Sequence, residues 1–149
     1  MCLGEGRPYE SRCLSEEYPH CDSLRAKRGT MAKFEVKQTK EGDLLKVEIV
    51  GNIDEDAVFV PIQTTEVNKV RFDFSKVETI NSCGVREWIK VITSIQPGKT
   101  IIYAGAPHFI VDQMNMVLNF LPKAAIVESI YVPYFCEACE NQSLVLFQK

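Results

Sequence analysis

Hydrophobic and polar positions change rhythm several times along the chain. Phe34 to Gln38 alternates apolar and polar residues, and Leu44 to Ile49 continues the pattern after the turn Glu41-Gly42-Asp43. A two-residue period on both sides of a turn predicts a hairpin. Gly51-Asn52-Ile53-Asp54 closes its second strand. Residues 55–66 give two signals. Asp54 suits a helix cap, with Ala57, Val58 and Val60 behind it, but Pro61 limits any helix to a short piece. Val70-Arg71-Phe72-Asp73-Phe74 alternates again and predicts a strand, with a loop from Ser75 to Ile80. Val85, Trp88, Ile89, Ile92 and Ile95 then recur at helical spacing, with Arg86, Glu87 and Lys90 on the opposite face. Pro97-Gly98 stops that helix.

Thr100 to Tyr103 has the composition of a buried strand, and Pro107 stands where a first helical residue belongs. Ile110, Met114, Val117, Leu118 and Leu121 mark one face of a helix that ends near Pro122. Met116 and Phe120 fall on its less buried side, a candidate contact surface. A strand is expected from Ala125 to Tyr131, and Ile130–Phe135 and Leu144–Phe147 flank a turn. The predicted order is β-β-(short α)-β-α-β-α-β-β. That is an α/β fold, a mixed sheet with helices packed on it and a C-terminal hairpin.

Composition adds boundaries and exclusions. The 149 residues are 46% hydrophobic and 25% charged, enough for one domain with a buried core. Residues 1–30 break the pattern: five acids and five bases, Arg7-Pro8, Tyr18-Pro19-His20 and the basic run Arg25 to Arg28 follow no period. The folded domain is therefore expected to open at Met31, with residues 1–30 a disordered tail or an upstream extension of the reading frame. Residues 31–132 form the main domain and 133–149 the terminal hairpin. A net charge of −3 and a pI near 5.5 argue against a generally basic nucleic-acid binder. No apolar run approaches the roughly 18–20 residues that cross a bilayer, and no secretory core opens the chain. No membrane insertion is expected, and the expected compartment is the cytoplasm.

Chemistry-bearing residues are sparse. No clustered His, motif of paired carboxylates or phosphate-cradling Gly-rich loop stands out, so no enzyme activity is expected. His20 and His108 have no ligand-spaced neighbours. Cys2, Cys13 and Cys21 match no compact metal site. Cys136 and Cys139 form a Cys-x-x-Cys between two strands, like half of a zinc ribbon, yet a structural zinc needs four ligands. Three readings stay open: a relic or structural turn, zinc shared with a second chain's pair across a homodimer axis, or a redox pair. Beyond that zinc, no cofactor is expected.

The most informative stretch is Val70-Arg71-Phe72-Asp73-Phe74 running through Asn81-Ser82-Cys83-Gly84-Val85. It resembles the STAS domain, the fold of bacterial anti-sigma-factor antagonists, in which a strand leads to an Asp-Ser-Ser-Gly-Leu helix start. Gly51-Asn52-Ile53-Asp54, Pro97-Gly98-Lys99-Thr100-Ile101-Ile102 and Ala106-Pro107 with Phe109, Ile110, Met114 and Leu118 fall in the family's order. The resemblance covers about Phe34 to Val132. It implies a protein partner, an anti-sigma factor that is also a serine kinase, and a phosphoacceptor at Ser82. It places Asp54, Asn81, Ser82, Cys83 and Gly84 at the partner surface, and phosphorylation would release the partner. Other STAS-like proteins are accessory subunits of membrane transporters, a second reading; a small metal-binding or redox protein using Cys136 and Cys139 is a third.

The sequence departs from the motif. Asn81 replaces Asp, Cys83 replaces the second Ser, and the segment from Asp54 to Phe74 is short for the family. Asn caps a helix as well as Asp does but supplies no carboxylate. Cys83 reads either as a thiol made reactive by the helix start or as a small packed residue.

Overall fold

The computed structural model describes residues 33–137 and 140–149. Strand β1 (Glu35–Glu41) turns at Gly42, where φ is +59°, and pairs antiparallel with β2 (Leu44–Ile53). A left-handed φ at the tip of a two-residue turn favours glycine. β3 (Lys69–Ile80), β4 (Thr100–Ala104) and the two-residue β5 (Ile126–Val127) follow in parallel, so the sheet runs β1-β2-β3-β4-β5. Helix α1 (Ser82–Ser94) links β3 to β4, and α2 (His108–Met116) links β4 to β5. β6 (Ser129–Cys136) and β7 (Asn141–Gln148) make the expected C-terminal hairpin. The chain divides into two compact units, one spanning Met31–Val132 with Leu146–Lys149, the other including Pro133–Val145. Among the described residues, no helix is long and apolar enough to cross a membrane.

The core lies on one face of the five-stranded sheet. Val47, Ile49, Phe72, Phe74 and Tyr103 from the strands meet Trp88 and Ile92 of α1, Ile110 of α2, and Phe120. Trp88 is fully buried at the centre. Its ring stands 4.8 Å from Phe72, 5.2 Å from Phe74 and 5.8 Å from Tyr103, mostly edge to face. Those geometries suit the aromatic quadrupole and add to the area term. The polar atoms are satisfied too. Trp88 Nε1 donates to Tyr103 Oη at 3.1 Å, and Tyr103 Oη donates to the Phe120 carbonyl at 2.7 Å. The opposite face carries Lys46, Glu48, Arg71 and Asp73, all half-buried.

Several sequence expectations change. The short helix after Asp54 is absent. Asp54 instead closes a turn, its Oδ1 accepting from Asp56 N–H and its carbonyl from Ala57 N–H, and the chain then runs extended past Pro61. Val58, Phe59, Val60 and Ile62 favour extended backbone, and the side-chain amide of Gln38 holds it there. Gln38 donates to the Pro61 carbonyl at 3.2 Å and accepts from Gln63 N–H at 3.4 Å, imitating a strand partner.

The loop from Ser75 to Ile80 is strand. Opposite β2, β3 carries an extra residue between the pairs Glu48↔Asp73 and Val50↔Lys76, and another between Gly51↔Val77 and Asn52↔Thr79. Each bulge shifts the alternation by one residue, so buried positions jump from Phe74 to Val77 and the period looks lost.

α2 stops at Met116, well before Pro122. Leu118 is 85% exposed rather than part of an apolar face, and Phe120 is buried, not at a contact surface. Asn119 at φ +66° reverses the chain and sends Phe120 into the core, where its carbonyl takes the Tyr103 hydroxyl. Pro107 is the cap of α2 rather than its first residue. Finally, the strand expected at 125–131 breaks at Glu128 into β5 and β6. Glu128 N–H donates to the Tyr103 carbonyl, while its carboxylate takes Arg71 Nε at 2.7 Å and Nη2 at 3.2 Å.

Candidate functional site

The residues singled out by the motif meet at the carboxyl ends of β2 and β3. This is the edge of the sheet at which its parallel strands end and hand over to α1. The register brings Ile80 level with Ile53, so both strands end together. Asn81 N–H then donates to the Ile53 carbonyl at 3.1 Å. Asp54 follows Ile53 directly, which places it beside the start of α1.

Asn81 is the N-cap, at φ −109° and ψ 178°, and its Oδ1 accepts the Gly84 N–H at 2.8 Å. Of the donors a helix start leaves open, this bond satisfies one. Ser82 and Cys83 occupy the first turn and are exposed. Gly84 is buried, and its role is spacing. A Cβ built there would lie 2.0 Å from the Ile53 carbonyl oxygen and 2.5 Å from its carbon. Only glycine lets the first turn of α1 sit this close to the end of β2. Four of the five predicted residues are therefore presented outward or at the rim, while the fifth faces the protein.

One member of the site carried no usable sequence signal. Glu55 Oε2 accepts from Asn81 Nδ2 at 2.8 Å. A hydrogen bond from its own backbone, followed by the one from Asn81, holds its carboxyl below the usual carboxylate range. A carboxylate thus stands one hydrogen bond from the position where the motif would carry Asp. Asp54, Glu55 and Asp56 form an acidic rim at this end of α1. Asn52 and Thr79, whose side chains join at 3.1 Å, tie β2 to β3 just below it.

A positive end of α1 beside an exposed hydroxyl gives the site its chemical character. The helix N-terminus carries about half a unit of positive charge. Phosphate of about −1.5 to −2 charge on Ser82 would therefore be tolerated by the fold while changing the surface sharply.

Cys136 ends β6 and is half-buried; Cys139 lies outside the described residues, as do Cys2, Cys13 and Cys21 and the whole of residues 1–30. Among the described residues no three His, Cys, Asp or Glu side chains converge as a metal site would require. No protein-family model matches the chain, and no curated protein matches it.

Proposed function

We propose that this chain is a non-enzymatic, STAS-like protein-interaction module whose partner binding is switched by phosphorylation of Ser82. The observation that carries the reading is the start of α1. An exposed hydroxyl sits in the first turn of a capped helix, fixed against the end of β2 by the Gly84 contact and edged by Asp54 and Glu55. The sheet is consistent with it: an antiparallel pair followed by parallel strands with α1 and α2 as crossovers is the mixed sheet with helices packed on it that the sequence predicts.

Ser82 Oγ would take the γ-phosphoryl of ATP from a partner serine kinase, leaving ADP and a proton. The dianion and its hydration would add bulk in the first turn of α1, where the partner docks, and release follows by steric exclusion. Glu55 supplies the carboxylate that Asn81 lacks. The test is incubation of the purified chain with ATP and the serine kinases of its source cell, followed by mapping of the phosphate by mass spectrometry. A single phosphate on Ser82, absent from Ser82→Ala, is expected. Phosphate elsewhere, or none, overturns the switch.

A further inference from the structure

The helical side of the sheet is unevenly roofed. α1 and α2 lie over the core strands, whereas the connection from β2 to β3 crosses residues 54–68 with no helix. A crossover between parallel strands usually carries one, and an extended chain fills less of the layer. A groove of about 640 Å³ remains between this segment and α1, with Val58, Val60 and Ile62 on one wall and Lys90, Val91 and Ser94 on the other. Val58 is 79% exposed and Val60 52%.

Charge gives the groove a direction. Glu55 lines the end nearest Ser82 and is bonded to the cap of α1. Asp54 and Asp56 flank it, and among the described residues no Lys or Arg forms an ion pair with these three. Lys90, farther along α1, is neutralised by Glu87 at 2.7 Å. One end therefore carries three carboxylates without an ion-pair partner, and the walls beyond it set apolar Val58, Val60, Ile62 and Val91 beside the Glu87–Lys90 pair and Ser94.

We propose that this groove docks one amphipathic helix of a protein partner. Its apolar face lies against Val58, Val60 and Val91, and a Lys or Arg of its end turn meets Asp54, Glu55 and Asp56. The stretch Glu87–Ser94 runs about 10 Å along α1, room for anchors at i, i+3 or i+4, and i+7. A helix axis about 8–10 Å from α1 would complete the layer that the crossover leaves thin. The proposal names the partner of the interaction module put forward above and rests on that reading.

The probe is a randomised 16-residue peptide library displayed on phage and selected against the full chain. Winners are expected to carry an apolar helical stripe with a basic end turn. Their affinity should fall at least tenfold with Val58→Asp or Val60→Asp, and about tenfold with the triple variant Asp54→Asn, Glu55→Gln, Asp56→Asn. Far-UV circular dichroism checks that each variant folds. Winners lacking that pattern, winners indifferent to these variants, or no winners overturn the proposal. So does a concentration-dependent dimer that Val58→Asp abolishes, because the groove's occupant is then a second copy. Ser82→Asp separates the two readings. Peptide binding unchanged by it defeats the switch and leaves the groove, whereas Ser82 phosphorylation together with peptide binding that Val58→Asp leaves unchanged defeats the groove alone.

Discussion

Replacing Gly84 with Ala sets two opposed effects against each other. In a helix interior Ala outranks Gly by about 0.5–1 kcal/mol, mostly through backbone entropy. Here, however, the new methyl would meet the Ile53 carbonyl oxygen at 2.0 Å, and that neighbour is main chain, not a flexible side-chain end. To recover contact distance the first turn must retreat by about 1 Å or more. The Asn81 N–H to Ile53 carbonyl bond, 3.1 Å long, does not survive such a shift, a loss of about 1 kcal/mol. Forcing a methyl into a packed contact adds about 1–3 kcal/mol. The clash outweighs the propensity, and Gly84→Ala should be less stable by about 1–3 kcal/mol. With a urea m-value of about 2 kcal/mol/M, the midpoint followed by circular dichroism should fall by roughly 0.5–1.5 M. A midpoint equal to or above wild type would refute the claim that glycine is needed for the approach of α1 to β2.

Three further outcomes follow from the same contacts. Asn81→Ala removes the cap and should lower stability by about 0.5–2 kcal/mol in urea titration; Asn81→Asp keeps the cap but puts a carboxylate against Glu55, whose pKa, read by NMR, should rise. Burial raises the Tyr103 pKa, so the native state keeps a proton that the unfolded chain loses near pH 10. The stabilisation is present below that value and is lost as pH climbs above it; Tyr103→Phe should flatten this alkaline decline while costing about 1–3 kcal/mol near neutrality. The hydrogen bonds from Arg71 lower the pKa of Glu128, so their contribution holds above the unfolded carboxylate value and fades as pH falls through the native one. Arg71→Met should remove that acid-limb dependence from pH-titrated thermal unfolding, and a retained dependence would assign it elsewhere.

What could be read in the sequence depended on period. β1, β2, the first half of β3 and α1 obey a single rhythm over five or more residues, and they stand close to where the pattern puts them. The second half of β3 does not, because each bulge inverts which residues face the core. Phe120 was misplaced for a related reason. Continuing the helical count past Met116 puts it outside, but the buried Tyr103 hydroxyl needs an acceptor, and the chain leaves the helix to supply one. At the site, Asn81 and Ser82 were legible as a helix start. Glu55 was not, since its partner lies 26 residues away and depends on a turn replacing the expected helix. The burial of Gly84 rests on a contact with main chain, and no residue type records that.

Glu128 joins more of the molecule than its place in a broken strand implies. Its N–H is bound by β4 through Tyr103, its carbonyl accepts the Lys149 N–H at 3.0 Å, and its carboxylate clasps Arg71 of β3 across the width of β4. The two-residue β5 has little pairing of its own, so the sheet edge and the last described residue share one fastening. Their amides should open to solvent exchange together, as a single unit, rather than fray one after another from the chain end.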